Sequence, residues 1–265
     1  MQPVIKWSGS KRSQANIIKS YVPSFNTYYE PFIGGGSILY ALHPQKAICG
    51  DIYEPLINLW NEIKNNPQQV ADEYKKRWLK LQDLGEDFYY QIRKQFNQSH
   101  SIYDFLFLSR TCTNGLIRFN KKGEFNTSFH FSRKGVNPST LENIINDWSK
   151  QLQNTTFIHG DYEYTTSNIK ENDFVYLDPP YANTKGMYFG SIDYYKFFTF
   201  LETLNKKNVK FILSFNGKRG NTNKTFDVPK DLYKRHEYIK SGISSFNRTK
   251  QSKIINFQES IYINY

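Results

Sequence analysis

At 265 residues, 38% hydrophobic and 22% charged, the chain has the balance of one globular domain, or of one catalytic domain carrying a smaller insertion, and it is long enough to form a core without disulfide or metal staples. A net charge of +11 suits a polyanionic partner, because Lys and Arg gain affinity by releasing counterions from phosphate; the 17% aromatic content supplies either a plain core or faces for stacking bases. Cys49 and Cys112 stand far apart, the five histidines (His43, His100, His130, His159, His236) share no spacing, and no long apolar run or signal-peptide core is present, so the reading excludes a disulfide scaffold, a metal centre and a membrane partner and expects a cytoplasmic location.

In chain order, residues 13–22 read as a helix ending before Pro23, and 27–30 as a short strand that runs into Pro31-Phe32 and the glycines Gly34-Gly35-Gly36. A helix over 37–42, a strand over 46–50 ending at Asp51, and a helix over 56–66 stopped by Pro67 follow. Strand, glycine turn, helix, strand and acid form the opening of a doubly wound parallel sheet. Residues 68–153 differ: they are helical, polar and basic, and are broken at 114–135 by a stretch that reads as a hairpin or long loop. Alternation then resumes, with strands over 156–159, 173–177 and 209–215, a helix over 194–204, and a last strand over 259–263. The expected architecture is α/β with a mostly parallel central sheet, formed by residues 1–67 and 154–265 and interrupted by a helical, hairpin-bearing insertion over 68–153.

The strongest chemical signal is Asp178-Pro179-Pro180-Tyr181, directly after the apolar run Phe174-Val175-Tyr176-Leu177. Its place is the carboxyl end of a central strand, where ligand sites of open α/β sheets gather. Two prolines alone make a rigid turn. The four residues together suit an exocyclic amine, whose lone pair is delocalised into its ring. A carboxylate at Asp178 can accept one amino hydrogen, and a proline carbonyl can accept the other. The nitrogen then becomes pyramidal with its lone pair outward, while Tyr181 offers a flat face to the base. Positioning and electrostatics would supply most of the acceleration.

Glu30-Pro31-Phe32-Ile33-Gly34-Gly35-Gly36 followed by Asp178-Pro179-Pro180-Tyr181 resembles the cofactor and catalytic motifs of Dam-type DNA adenine-N6 methyltransferases, the D12 class or α-group. Lys6-Trp7-Ser8-Gly9-Ser10-Lys11 resembles the motif that opens that family, and Asn114-Gly115-Leu116-Ile117-Arg118-Phe119-Asn120-Lys121-Lys122-Gly123-Glu124-Phe125-Asn126 its target-recognition hairpin. The match runs in family order from about residue 5 to the end of the chain. It implies a Rossmann-like S-adenosylmethionine-dependent methyltransferase fold with an inserted target-recognition domain, S-adenosylmethionine as cofactor, duplex DNA as partner and base flipping as the route to the target. It further implies cofactor contacts from Trp7, Lys11, Glu30, Phe32, Gly34, Gly36, Asp51, Asp161, Tyr162 and Asp178. A monomer is expected, and a cognate restriction endonuclease is one partner the resemblance allows.

In the recognition stretch, Arg118 can donate a bidentate pair to guanine, and Asn114 can meet an adenine edge or a phosphate. Asn120, Lys121, Lys122 and Arg133 are expected to join them on DNA, with Lys134 a further phosphate contact. Arg110 is either a phosphate contact or an ion-pair member. Two departures concern the site read. Thr113 stands where the GATC-modifying branch often has an aromatic, and residues 127–133 (Thr-Ser-Phe-His-Phe-Ser-Arg) replace a Pro-Phe-Gly continuation. A short GA-containing site is therefore expected, GATC among the candidates. Rival readings are another amino-methyltransferase (RNA adenine, cytosine N4 or protein glutamine), an NAD-dependent oxidoreductase, for which the GxGxxG spacing is missing, and a DNA-binding protein without catalysis.

Overall fold

A computed structural model of the chain describes residues 1–180, 192–219, 222–223, 228–241 and 257–265. Its centre is an eight-stranded sheet built from β1 (Tyr28–Glu30), β2 (Ala47–Asp51), β3 (Thr155–His159), β4 (Phe174–Leu177), β5 (Lys210–Arg219), β6 (Thr222–Asn223), β7 (Arg235–Ser241) and β8 (Phe257–Ile263). The order across the sheet is β3-β2-β1-β4-β5-β8-β7, with β6 paired to β5. Strands β1 to β5 pair in parallel, and β8 runs antiparallel to both β5 and β7. The chain moves outward from β1 to β2 to β3, then returns to place β4 on the other side of β1. The boundary between β1 and β4 is thus the topological switch point, where crevices form in such sheets. This is a Rossmann-like α/β sheet, as expected.

Both faces of the central strands are buried, and their side chains divide with period two. On β4, Phe174 and Tyr176 join one apolar cluster, while Val175 and Leu177 join the other. Tyr28 and Tyr29 of β1 split the same way, as do Ile212 and Leu213 of β5. The second cluster is covered by α8 (Tyr162–Thr165) and α9 (Tyr194–Lys206), the latter capped by the Asp193 carboxylate, which accepts from the N–H groups of Tyr195 and Lys196. The first cluster is covered by α1 (Ala15–Tyr21), α2 (Ser37–Leu42) and α3 (Glu54–Asn65).

Helices α4 (Pro67–Leu84), α5 (Glu86–Ser99), α6 (Ile102–Thr111) and α7 (Pro138–Gln151) fill the interval between β2 and β3. Gly85, at φ +66°, ends α4 and lets α5 start at once, with Glu86 and Asp87 in its first turn. Asn137 caps α7 by accepting from the Ser139 N–H at 3.0 Å, with Pro138 following it. These helices share the first apolar cluster with the sheet. Trp148 of α7 lies 4.9 Å from Trp60 of α3, ring to ring, and 4.8 Å from Tyr40. Its indole N–H donates to the carbonyl of Gln2 at 2.8 Å, which ties down the N-terminal segment.

Two expectations shift. The hairpin in 114–135 has only the isolated bridges Cys112–Phe129 and Phe119–Phe125, not a regular ladder. A few backbone bonds cross it, Asn120 N–H to the Glu124 carbonyl and Asn126 N–H to the Arg118 carbonyl among them, and side chains of α5 take further groups: Asn97 both donates to and accepts from Phe125, and the Tyr89 hydroxyl donates to the carbonyl of Thr127 at 2.8 Å. Strand β7 was not expected, because His236, Glu237 and Lys240 hide its period; pairing with β8 makes it an edge strand. No helix among the described residues is long and apolar enough to cross a membrane.

Trp148→Ala is expected to cost ~3–5 kcal/mol, because it empties a fully buried site shared by two helices and the N-terminal segment; urea denaturation checks this.

Candidate active site

Strand β1 ends at Glu30, and the turn that follows brings its backbone close to neighbours. Gly34 has φ +45°, and a Cβ there would stand 2.6 Å from the Trp7 ring, so only glycine fits. The Gly34 carbonyl accepts from the Trp60 indole N–H at 3.1 Å, and its N–H donates to Asp51 at 3.4 Å. Asp51, at the carboxyl end of β2, also accepts from the N–H of Tyr53 at 3.0 Å. Burial pushes this carboxyl up to about 6, against the pull of those N–H groups. Glu30 is more deeply enclosed. It accepts from the Tyr28 hydroxyl at 2.9 Å and from the N–H of Leu39 at 3.1 Å, yet burial, helped by nearby Asp178, pushes it up to about 8.

Asp178 follows β4. Its Oδ1 lies 2.7 Å from Nζ of Lys11, which is only 4% exposed. By residue type alone Lys11 would be a surface lysine; here it is buried in an ion pair. The same Nζ donates to the carbonyl of Gly9 and stands 3.7 Å from Glu259 of β8. Ser10 and Ser37 join the opening loop to α2 through a 2.8 Å hydroxyl contact. The hydroxyl of Tyr194, at the start of α9, donates to the carbonyl of Pro180 at 2.8 Å. Asp161 caps α8 by accepting from the N–H of Tyr164 at 2.8 Å.

These parts surround one cleft of about 990 Å³, counting its open mouth. All ten residues expected to hold a cofactor line it: Trp7, Lys11, Glu30, Phe32, Gly34, Gly36, Asp51, Asp161, Tyr162 and Asp178. Pro179 and Pro180 line it too, whereas Tyr181 lies outside the described residues. The cleft sits at the carboxyl ends of β1, β2 and β4, on the switch point.

The recognition stretch is less uniform. Lys121, Lys122 and Arg133 are exposed, and Asn114 and Arg118 are half-buried. Asn114 has φ +56°, and neighbouring Gly115 leaves room for the stem of Lys6. Asn120, expected on DNA, has its polar groups engaged within the loop itself. Its Oδ1 accepts from the N–H groups of Lys122 and Glu124, and its amide donates to Glu124, so the side chain closes the turn. Arg110 corrects both of its readings. It is 8% exposed, donates to the carbonyl of Pro3 at 3.0 Å, and no carboxylate among the described residues pairs with it.

Residues 7–257 match the family described as D12 class N6 adenine-specific DNA methyltransferase. The chain belongs to that family. It is 31% identical over 246 residues to the type II methyltransferase M.MjaIII of Methanocaldococcus jannaschii, covering 81% of this chain and 84% of that protein. Against the DNA adenine methylase of Vibrio cholerae it is 35% identical, over 67% of this chain and 64% of that enzyme's length. The type II methyltransferase M1.LlaDCHI of Lactococcus lactis subsp. cremoris is 28% identical over all of this chain and 96% of its own.

This D12-class methyltransferase carries site neighbours that sequence reasoning missed. Glu259, Gln14 and Tyr194 reach the cleft's groups from elements far from either motif: the Gln14 amide meets Glu259 across 245 positions. No local spacing signals such a pair.

Glu30 makes stability depend on pH. The native state keeps a proton that the unfolded chain loses near 4.5, so unfolding free energy falls as pH rises from about 4.5 to about 8. Glu30→Gln is expected to flatten that fall, by at most ~1.4 kcal/mol per pH unit. The remainder, from Asp51, ends near pH 6. Urea midpoints at pH 5, 6.5 and 8 test both statements.

Proposed function

We propose that this methyltransferase moves the methyl group of S-adenosylmethionine to N6 of an adenine extruded from duplex DNA, at a short site containing guanine and adenine, with GATC among the candidates. One observation carries the reading: the Asp178 carboxylate and the glycine turn after β1 open onto the same cleft.

The cleft suits that donor. Among the described residues, Asp51 and Asp161 line it unmatched by any cation, Lys11 offsets Asp178, and Glu30 keeps its proton, so the remaining negative charge favours a cation. Phe32 and Ile52 offer apolar faces to its adenine, and the Gly34 turn has no spare room for a side chain. Asp51 would accept from the ribose hydroxyls, and Asp161 with Tyr162 would contact the adenine. When bound, the donor supplies an electrophilic methyl on a positively charged sulfur.

Asp178 accepts one hydrogen of the target amino group. Tyr194 already donates to the carbonyl of Pro180, and the carbonyl of Pro179 is assigned as the second acceptor. Held this way the nitrogen directs its lone pair outward; as its bond to the methyl carbon forms and the carbon–sulfur bond breaks, the nitrogen becomes acidic, and its proton passes by way of the Asp178 carboxylate to solvent. Tyr181 is assigned to the face of the extruded base on sequence grounds. Extrusion loses a few kcal/mol of stacking and pairing. Phosphate contacts from Lys121, Lys122 and Arg133, a guanine contact from Arg118 and a contact from Asn114 offset that loss. In this reading residues 68–153 recognise the target, while 1–67 and 154–265 carry the chemistry. The chain acts as a monomer. The names of two relatives, type II methyltransferases, favour a cognate endonuclease acting on the same site.

Asp178→Ala is expected to keep donor and DNA affinity within about tenfold and to lose ~10²-fold or more of methyl transfer, the scale of losing one positioned electrostatic partner. Mass spectrometry of 6-methyladenine and calorimetry measure the two, and full activity in this variant would overturn the reading. Arg118→Ala should relax discrimination at one base pair by ~1–3 kcal/mol. Sequencing of methylated sites from a random library checks it, and an unchanged pattern removes Arg118 as the reader.

A further inference from the structure

Lys11 stands between two carboxylates at unequal distances. Its Nζ is 2.7 Å from Oδ1 of Asp178 and 3.7 Å from Oε1 of Glu259. Glu259 is held in turn: its other oxygen accepts from the Gln14 amide at 2.7 Å, and Gln14 is 2% exposed. The loop and helix start that carry Lys11 therefore also carry the group that fixes its second partner. Asp178, Lys11 and Glu259 all act on the buried Tyr176 hydroxyl, so the three charges form one cluster.

This arrangement addresses a conflict in the chemistry. The ammonium on Oδ1 of Asp178 draws charge from the carboxylate and so weakens it as an acceptor for an amino hydrogen. Pulling Asp178 away from a buried lysine would leave that cation unpaired, which is strongly unfavourable. A second carboxylate in reach removes the penalty. We propose that Glu259 is a positioning residue for methyl transfer: it draws the Lys11 ammonium toward itself, so that Asp178 exchanges lysine for the target amino group without stranding a charge. The proposal rests on the assignment of Asp178 made above.

Glu259→Gln keeps the side chain's shape and its bond to Gln14 and removes the charge. With duplex DNA and S-adenosylmethionine, kcat is expected to fall about tenfold, with KM for either substrate within about twofold of wild type. In a Lys11→Met background, single-turnover rates should show no further loss from Glu259→Gln, because the effect passes through the lysine. A wild-type kcat in Glu259→Gln overturns the proposal, and so does an equal loss in both backgrounds. Should the Gln variant not fold, Glu259→Asp carries the test: kcat falls with KM unchanged, and an unaltered kcat overturns it. Asp178→Ala, assayed alongside, separates the two claims. If it stays active, the assignment of Asp178 fails; if it is inactive while Glu259→Gln turns over normally, only the role of Glu259 fails.

Discussion

The parallel pairing of β1 with β4, Tyr28 opposite Phe174 and Tyr29 opposite Val175, is the constraint on which the rest depends. The two strands are far apart in sequence, yet both end in a motif. Their pairing places the glycine turn after Glu30 beside the two prolines after Asp178. The register is held because each strand is buried on both faces, with alternate side chains assigned to separate clusters. A slip of one residue would send Tyr28 and Phe174 to the wrong cluster and carry the motifs out of line.

Around that junction, charge is managed by burial. Glu30 sits among apolar groups and beside Asp178, and its proton is retained into the neutral range. It therefore satisfies the hydroxyl of Tyr28 and the first turn of α2 without adding a full negative charge next to Asp178. Asp178 instead has Lys11, brought by the opening loop. That loop is fixed from three sides: Ser10 on Ser37, Trp7 against the Gly34 turn, and the preceding residues bonded to Trp148 and Arg110.

Those last contacts explain why the segment between β2 and β3 is not an independent appendage. Its helices α6 and α7 contribute Arg110 and Trp148, which hold the N-terminal residues, and its aromatics continue the core through Phe105 against Tyr53 and Trp148 against Trp60. An arginine before a recognition loop invites a DNA role on charge alone. Here the guanidinium is buried and donates to the backbone carbonyl of Pro3. Asn120 is comparable: a polar residue at a basic tip, whose groups the turn itself uses.

What the sequence determined by itself was whatever is written locally. Strands β1 to β5 and β8 showed as short β-prone segments, and α2 fell on residues 37–42 as expected, because period and punctuation are properties of neighbouring residues. Of the ten cleft residues, the glycine-turn residues, Asp51 and Asp178 were legible from their places at strand ends, whereas Trp7, Lys11, Asp161 and Tyr162 were reached through the family resemblance. Tertiary structure alone decided the rest. It bonded Tyr194 to the Pro180 carbonyl, turned Lys11 from a surface cation into a buried ion pair, and brought Glu259 and Gln14 to it. These outcomes depend on distances between segments far apart in the chain, which are set when the sheet closes around a shared core and leave no trace in the spacing of residues along it.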